Sequence, residues 1–422
     1  MDINNLLKGV DCSCGKKHSC PIRYVYIENN ATARLAEICS GYNNILLVAD
    51  ENTFAAAGDK TVSALNDKKI KNVIFSGKEI LVPDEKAIAK VESCLANTDL
   101  IVGIGSGVIQ DLCKYVSHFN KIPYMIVATA PSMDGYASDG AAMITGGMKV
   151  TYPATLPVAI VVDTSVLKDA PIDMLKSGYG DVIGKFSALN DWKLSHIVND
   201  EYFCEYIYSL TFEQINCTIA LADGILRRDE ESIAALMEAL VVIGILMSFA
   251  GSSRPASGSE HHLSHFFEIT GILDNTEYLS HGTDVAFSTF ETAKIRERIL
   301  SGKFPEKSFS MSDEDYTKVM KSIYKQSADG CIALQKKVGN YSKDRAEIYL
   351  RNEEKIRKVL AEMPAPDEIL KLLEKVELDI NDFYAFYGEE KIKNAVLYAK
   401  DLKDRYTVLW MNYDFFGIGR DV

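Results

Sequence analysis

An α/β N-terminal domain with a mostly parallel sheet, followed by an all-helical C-terminal domain, is the fold class the sequence predicts. Three observations predict it. Over the first 165 residues, short runs rich in isoleucine and valine, apolar on both faces, alternate with helical stretches, the pattern of a parallel sheet covered by helices. After Asp163 the period changes to long helical stretches with few β-branched runs. At 422 residues the chain also exceeds the size at which one core stops growing, so two domains, 1–165 and 166–422, are expected.

Element by element, the strands are expected at Ile22 to Ile27, Ile45 to Ala49, Asn72 to Phe75, Leu100 to Gly103, Tyr124 to Val127 and Ala159 to Val162. Helices are expected at Ala31 to Ser40 and at Asp84 to Ala96, the latter opened by Pro83. Toward the end, Asp382 to Tyr398 and a tail through Arg405 continue the helical period. No internal repeat and no low-complexity tract interrupts this order.

Composition narrows the partners. A formal charge of −13 opposes nucleic acid and anionic membranes, which need a basic footprint. The opening Met1-Asp2-Ile3-Asn4-Asn5 lacks the basic and apolar regions of a secretory or transit peptide. The most apolar run, Ala239 to Ala250, is too short to span a bilayer and reads as a buried helix, so no integral membrane segment is expected. The nine cysteines are odd in number, and Cys39, Cys94, Cys113, Cys204, Cys217 and Cys331 stand singly in apolar surroundings. That suits a reducing compartment, and a cytoplasmic location is expected.

Two loops at expected strand ends carry binding chemistry. Gly103-Ile104-Gly105-Ser106-Gly107 leads directly into a helical run containing Asp111. Glycines let a backbone approach a diphosphate, and the helix that follows presents unpaired N–H groups and a positive dipole end. This makes a Rossmann-like cradle, although Val108 departs from the GxGxxG spacing and a plain strand-to-helix turn has the same glycines. After the next strand, Ala128-Thr129-Ala130-Pro131-Ser132-Met133-Asp134-Gly135-Tyr136-Ala137-Ser138 puts hydroxyls and Asp134 at the carboxyl edge of the sheet, where open α/β folds bind ligands. Asp134 also suits a helix cap. Asp50, just beyond its strand, suits either an adenosine ribose, which disfavours NADP, or solvent.

Four of the seven histidines fall between positions 261 and 281. His261 and His265 share a helix face, and a second segment carrying His281 can fold against them. Two imidazoles and one carboxylate, with open positions, make up the usual catalytic divalent-metal site. Asp181, in Ser177-Gly178-Tyr179-Gly180-Asp181, is the best candidate for the carboxylate, its small neighbours allowing close approach. His262, one step round the helix, suits the core. Cys12, Cys14, His18 and Cys20 have the donor types of structural zinc without a paired CxxC spacing, and a cysteine-bearing turn is the commoner reading.

Taken in order, the glycine turn, the Ala128–Ser138 loop, Gly180-Asp181, Ser253-Arg254-Pro255-Ala256-Ser257-Gly258-Ser259-Glu260-His261 with His265, and Ser280-His281-Gly282 resemble the sn-glycerol-1-phosphate dehydrogenases. That family sits within the iron-containing alcohol dehydrogenase, glycerol dehydrogenase and dehydroquinate synthase group. The tail from Asp404 to Leu409 resembles the bacterial branch. The resemblance implies that Asp181, His261 and His281 hold a metal, with His261 preferred to His262 for the HxxxH spacing to His265. It implies cofactor contacts at Gly105, Ser106, Gly107, Thr129 and Ser132, with Asp50 and Asp111 added, and places Asp134 beside substrate. It further implies NAD(H) or NADP(H), with zinc, nickel or ferrous iron. The active site is expected between the domains, in a homodimer or larger homo-oligomer.

The implied reaction is reversible reduction of dihydroxyacetone phosphate to sn-glycerol 1-phosphate, with Asp134 and His265 as proton relays, or with His265 in support of the metal. In an acidic protein a small phosphorylated substrate needs local cations, and Lys149, Lys185 and Arg254 lie in the motif regions. The rival readings are a glycerol or polyol dehydrogenase, a dehydroquinate synthase-like cyclase, and a non-catalytic nucleotide-binding protein.

Overall fold

A computed structural model describes residues 3–79, 81–146 and 148–418; the side chains of Met148 and Lys149 are not described. The chain forms two compact units. The sheet unit runs to Val182 and adds Asn216–Ser253; the helical unit is Ile183–Ile215 with Arg254 onward.

After a short helix at Ile3–Leu7, the sheet unit has a short antiparallel hairpin, β1 (Val10–Asp11) and β2 (Lys17–His18). Six strands follow as one parallel sheet in the order β3-β10-β7-β6-β4-β5. They are β3 (Tyr24–Glu28), β4 (Asn44–Asp50), β5 (Lys69–Phe75), β6 (Leu100–Gly105), β7 (Tyr124–Ala128) and β10 (Ala159–Asp163). β6, β7 and β10 are buried at every position, which is why they are apolar without alternation. Helices α1 (Glu51–Ala64) and α2 (Gly107–Asn120) are among the connections. Leu47, Val102, Val127 and Val161 meet in the core on one face. The chain passes from β4 to its neighbour β5, then returns to β6 on the other side of β4. The carboxyl ends of β4 and β6 therefore flank a topological switch point, where such sheets bind ligands.

Beyond β10 every regular element among the described residues is a helix, but the change of period at 165 is not where the units divide. Helices α3 (Ile172–Ile183) and α5 (Glu230–Ala250) group with the sheet, α3 up to Val182. The apolar run Ala239 to Ala250 is part of the longer α5, whose 21 residues are long and apolar enough to cross a membrane. Most of α5 is buried inside the fold. It lies so close to the Asp134 loop that a Cβ on Gly244 would stand 2.8 Å from the Asp134 carbonyl.

The helical unit includes α4 (Lys185–Asn199), α6 (Ser259–Asp274) and α7 (His281–Ser301). A buried Arg296–Asp191 ion pair of 2.8 Å ties α7 to α4. The other Asp191 oxygen accepts the Ser259 N–H at 2.6 Å, capping α6 from outside, since Gly258 has no side chain to do so.

Several boundaries differ from expectation. The segment after β3 is a 3-10 turn at Ala31–Arg34 and a short helix at Leu35–Ile38. Asp84 rather than Pro83 opens the helix Glu85–Glu92, its carboxylate accepting from the Lys86 and Ala87 backbone. The expected helix Asp382 to Tyr398 breaks at Gly388, whose φ of +75° ends one helix at Tyr387 and allows another from Glu389. A β8–β9 hairpin (Gly140–Thr145 and Met148–Pro153) was not expected; its first strand has little β-branched sequence to signal it.

Candidate active site

In the sheet unit, pairing aligns the expected cofactor residues across three strand ends. Ala49 pairs with Ile104, so Asp50 lies beside Gly105; Gly105 pairs with Ala128, and the Thr129 N–H donates to the Gly105 carbonyl at 3.2 Å. Helix α2 starts at Gly107 with no side-chain cap from Ser106, leaving first-turn N–H groups for an anion. The two glycines do different work. A Cβ on Gly105 would meet Ile109 at 2.7 Å, whereas one on Gly107 would find only Met133 at 3.6 Å. Gly105 is thus required for strand–helix packing, a correction to its reading as a ligand-approach residue alone, while the space beside Gly107 is open. Asp50 caps α1: one carboxylate oxygen accepts from Asn52 and Thr53 at 2.9 Å each.

The Asp134 loop is held from beneath by a residue the sequence did not flag. Lys114, fully buried on α2, donates to the carbonyls of Gly135 (3.0 Å) and Gly140 (2.8 Å) and to Ser138 Oγ (3.3 Å). It also pairs with Asp111 at 3.1 Å. The other Asp111 oxygen accepts the Ala142 N–H at 3.2 Å, so both oxygens brace the fold. Ser132 receives the Ser177 hydroxyl on its carbonyl at 3.1 Å. Helix α3 passes so near that a Cβ on Gly178 would lie 1.8 Å from the Pro131 carbonyl; only glycine fits. One turn later Asp181, fully buried, accepts the Asp134 N–H at 2.9 Å. Asp134 itself is buried at the start of the short turn Gly135–Ala137 and does not cap it with its side chain.

In the helical unit, α6 and α7 bring three histidines together. The His261 and His281 ring centroids are 5.0 Å apart, with His265 at 6.2 Å and 5.8 Å from them. Donor atoms of His261 and His281 lie within 4.8 Å. Burial first, then the Lys185 charge, pushes the His261 pKa well below its ordinary value, so this ring is a neutral imidazole with a lone pair to give. His261 Nδ1 is 2.6 Å from Glu260 Oε1; with Nδ1–H donating, Nε2 is left to a metal, the carboxylate–histidine arrangement of metal sites. Burial, reinforced by Asp191, pushes the Glu260 carboxyl up to about 7. Ser264 Oγ stands 3.3 Å from His281 Nδ1. His262 is fully buried, and neither ring nitrogen has a hydrogen-bond partner among the described residues. These donors suit a divalent ion.

The cations divide. Lys185, fully buried, acts on both Glu260 and His261. Arg254 does not present its fork to a substrate: Nε donates to Glu201 Oε1 at 2.6 Å, a second nitrogen to Glu201 Oε2, and a third to the Tyr406 carbonyl at 2.9 Å. Its expected phosphate role is corrected to a structural ion pair. The Lys149 side chain lies outside the described residues. Two cations that the sequence did not single out reach the Ser257 segment: Lys403 Nζ is 3.3 Å from Ser257 Oγ, and Arg405 donates to the Ser257 carbonyl at 2.9 Å. Arg405 belongs to the tail whose likeness to the bacterial branch was the available signal, and Glu260 stands in the Ser253–His261 motif; Lys403 and Lys114 carried none.

Residues 26–171 match the family described as iron-containing alcohol dehydrogenase. A probable glycerol dehydrogenase from Sinorhizobium meliloti superposes with a TM-score of 0.59 at 16% identity, covering 94% of this chain and 96% of that one. Fold and comparison together define the class, the two-domain fold of the iron-type alcohol dehydrogenases. Over 300 residues the chain is 34% identical to a glycerol-1-phosphate dehydrogenase (NAD(P)+) of Halalkalibacterium halodurans, spanning 68% of this chain and 75% of the relative. Over 408 residues it is 30% identical to that of Geobacillus stearothermophilus, spanning 94% of each. The chain belongs to the glycerol-1-phosphate dehydrogenase (NAD(P)+) family.

Proposed function

We propose that this chain catalyses the reversible reduction of dihydroxyacetone phosphate to sn-glycerol 1-phosphate, using NAD(P)H and one divalent metal ion. The observation that carries it is the His261–His281 pair, with the buried Glu260 behind the buried His261, in a member of this family. Asp181 supplies the third ligand, a buried carboxylate. The ion supplies polarisation of the ketone oxygen, and the nicotinamide supplies the hydride.

The chain's own residues do the rest. The strand ends at Asp50, Gly105 and Thr129, with Ser106, Gly107 and Ser132, bind and orient the dinucleotide; Asp111 supports them through Lys114. Asp50 selects NADH over NADPH by its charge. Reduction takes up one proton at the ketone oxygen, and Asp134 and His265 deliver it. Lys185 attracts the phosphate, and Lys403 and Arg405 add positive potential. The chain works in the cytoplasm as a homodimer or larger homo-oligomer; its nine cysteines include no disulfide.

The test is a screen of phosphorylated and free ketones with NADH on metal-reconstituted protein, followed by chiral analysis of the product. One charge-assisted contact contributes about 1.5 to 3 kcal/mol, roughly tenfold or more, so dihydroxyacetone phosphate should exceed dihydroxyacetone by at least that factor. Lys185→Met should shrink the ratio, while Arg254→Ala should lower both rates together by weakening the fold. Preference for dihydroxyacetone or glycerol, or a product of the opposite hand, refutes the assignment.

A further inference from the structure

We propose that Cys12, Cys14 and His18 are three ligands of a structural zinc ion, separate from the catalytic metal. The argument starts from the hairpin. Gly15, at a φ of +84°, turns the chain between the cysteines and His18, and the Cys12 N–H donates to the Lys16 carbonyl at 3.1 Å. This turn brings the donor atoms of Cys12, Cys14 and His18 within 4.8 Å of one another.

His18 is oriented as a ligand rather than as a filler. It is 1% exposed, lies flat on Phe249 at 5.4 Å between centroids, and places Nδ1 3.0 Å from the Phe249 carbonyl. A carbonyl can only accept, so Nδ1 carries the proton and Nε2 the lone pair, the outer hydrogen bond usual for a metal-bound imidazole. That Nε2 faces Cys14 Sγ at 3.4 Å. Zinc bonds of about 2.05 Å to nitrogen and about 2.3 Å to sulfur, at the tetrahedral angle, put two such donors about 3.6 Å apart. The fit selects zinc over hard cations, which take oxygen ligands. Cys20, fourth in the expected group, does not join this cluster of donor atoms.

The full-length protein tests this through sulfur, which the catalytic ligands lack. Cobalt-reconstituted wild type should show a sulfur-to-cobalt charge-transfer absorption, and zinc-loaded wild type should protect Cys12 and Cys14 from alkylation until a chelator is added. Cys14→Ser should lose one zinc equivalent per chain and the sulfur band while keeping the catalytic equivalent and turnover. His281→Ala should do the reverse, so failure of this site and failure of the catalytic reading are distinguishable. Absence of the band in wild type, together with thiols that alkylate equally with and without zinc, overturns the site even if the variants do not fold.

Discussion

Replacing Glu260 separates what holds the metal from what holds the fold. A single oxygen, Oε1, accepts both the Gly258 N–H at 2.8 Å and the His261 ring nitrogen at 2.6 Å, while Oε2 is buried with no partner among the described residues. Glu260→Gln keeps an oxygen for both bonds and removes only the charge; Glu260→Ala removes the acceptor, freeing the His261 tautomer and leaving a buried N–H unpaired. Loss of such an outer partner costs about 10- to 100-fold in metal affinity or activity, or about 1.4 to 2.7 kcal/mol. The glutamine variant should fall near the lower figure and the alanine variant near the upper. Competition with a chromogenic chelator measures the affinity, and kcat/KM with dihydroxyacetone phosphate should fall in step at limiting metal. Metal affinity within twofold of wild type in both folded variants would refute the role of Glu260 behind His261.

The two glycines of the cofactor turn should separate: Gly105→Ala should lower stability by about 1 to 3 kcal/mol through overpacking on Ile109, whereas Gly107→Val should keep its Tm and lose NADH affinity. Unchanged NADH binding in Gly107→Val removes the turn from the site. Asp50→Asn should keep the cap on α1, since asparagine caps as well as aspartate, yet raise kcat/KM for NADPH relative to NADH; an unchanged ratio shows that Asp50 is a cap and nothing more. Lys114→Met should destabilise the protein by about 3 kcal/mol by stripping the partner from Asp111, and at permissive temperature should raise KM for cofactor and ketone by loosening the Asp134 loop. Wild-type constants in that variant would show that the loop holds its shape without Lys114.

Local pattern was enough for much of this protein. A strand buried on both faces must be apolar throughout, so β6, β7 and β10 announce themselves. Rare residue types in close spacing, the glycines from 103 to 107 and the histidines from 261 to 281, mark chemistry without knowledge of the fold. Tertiary structure decided which partners the charged and small side chains meet. Arg254 has the look of a phosphate ligand until Glu201, fifty-three residues away, takes its fork. Lys114 looks like an ordinary helix-surface lysine until the loop carbonyls close over it. Gly105 reads as ligand space until Ile109 is packed against it. The physical reason is that periodicity and propensity act between neighbours in sequence, whereas desolvation and hydrogen-bond pairing act between neighbours in space. A buried cation must find its acceptors wherever folding puts them, and nothing in the order of the residues states where that is.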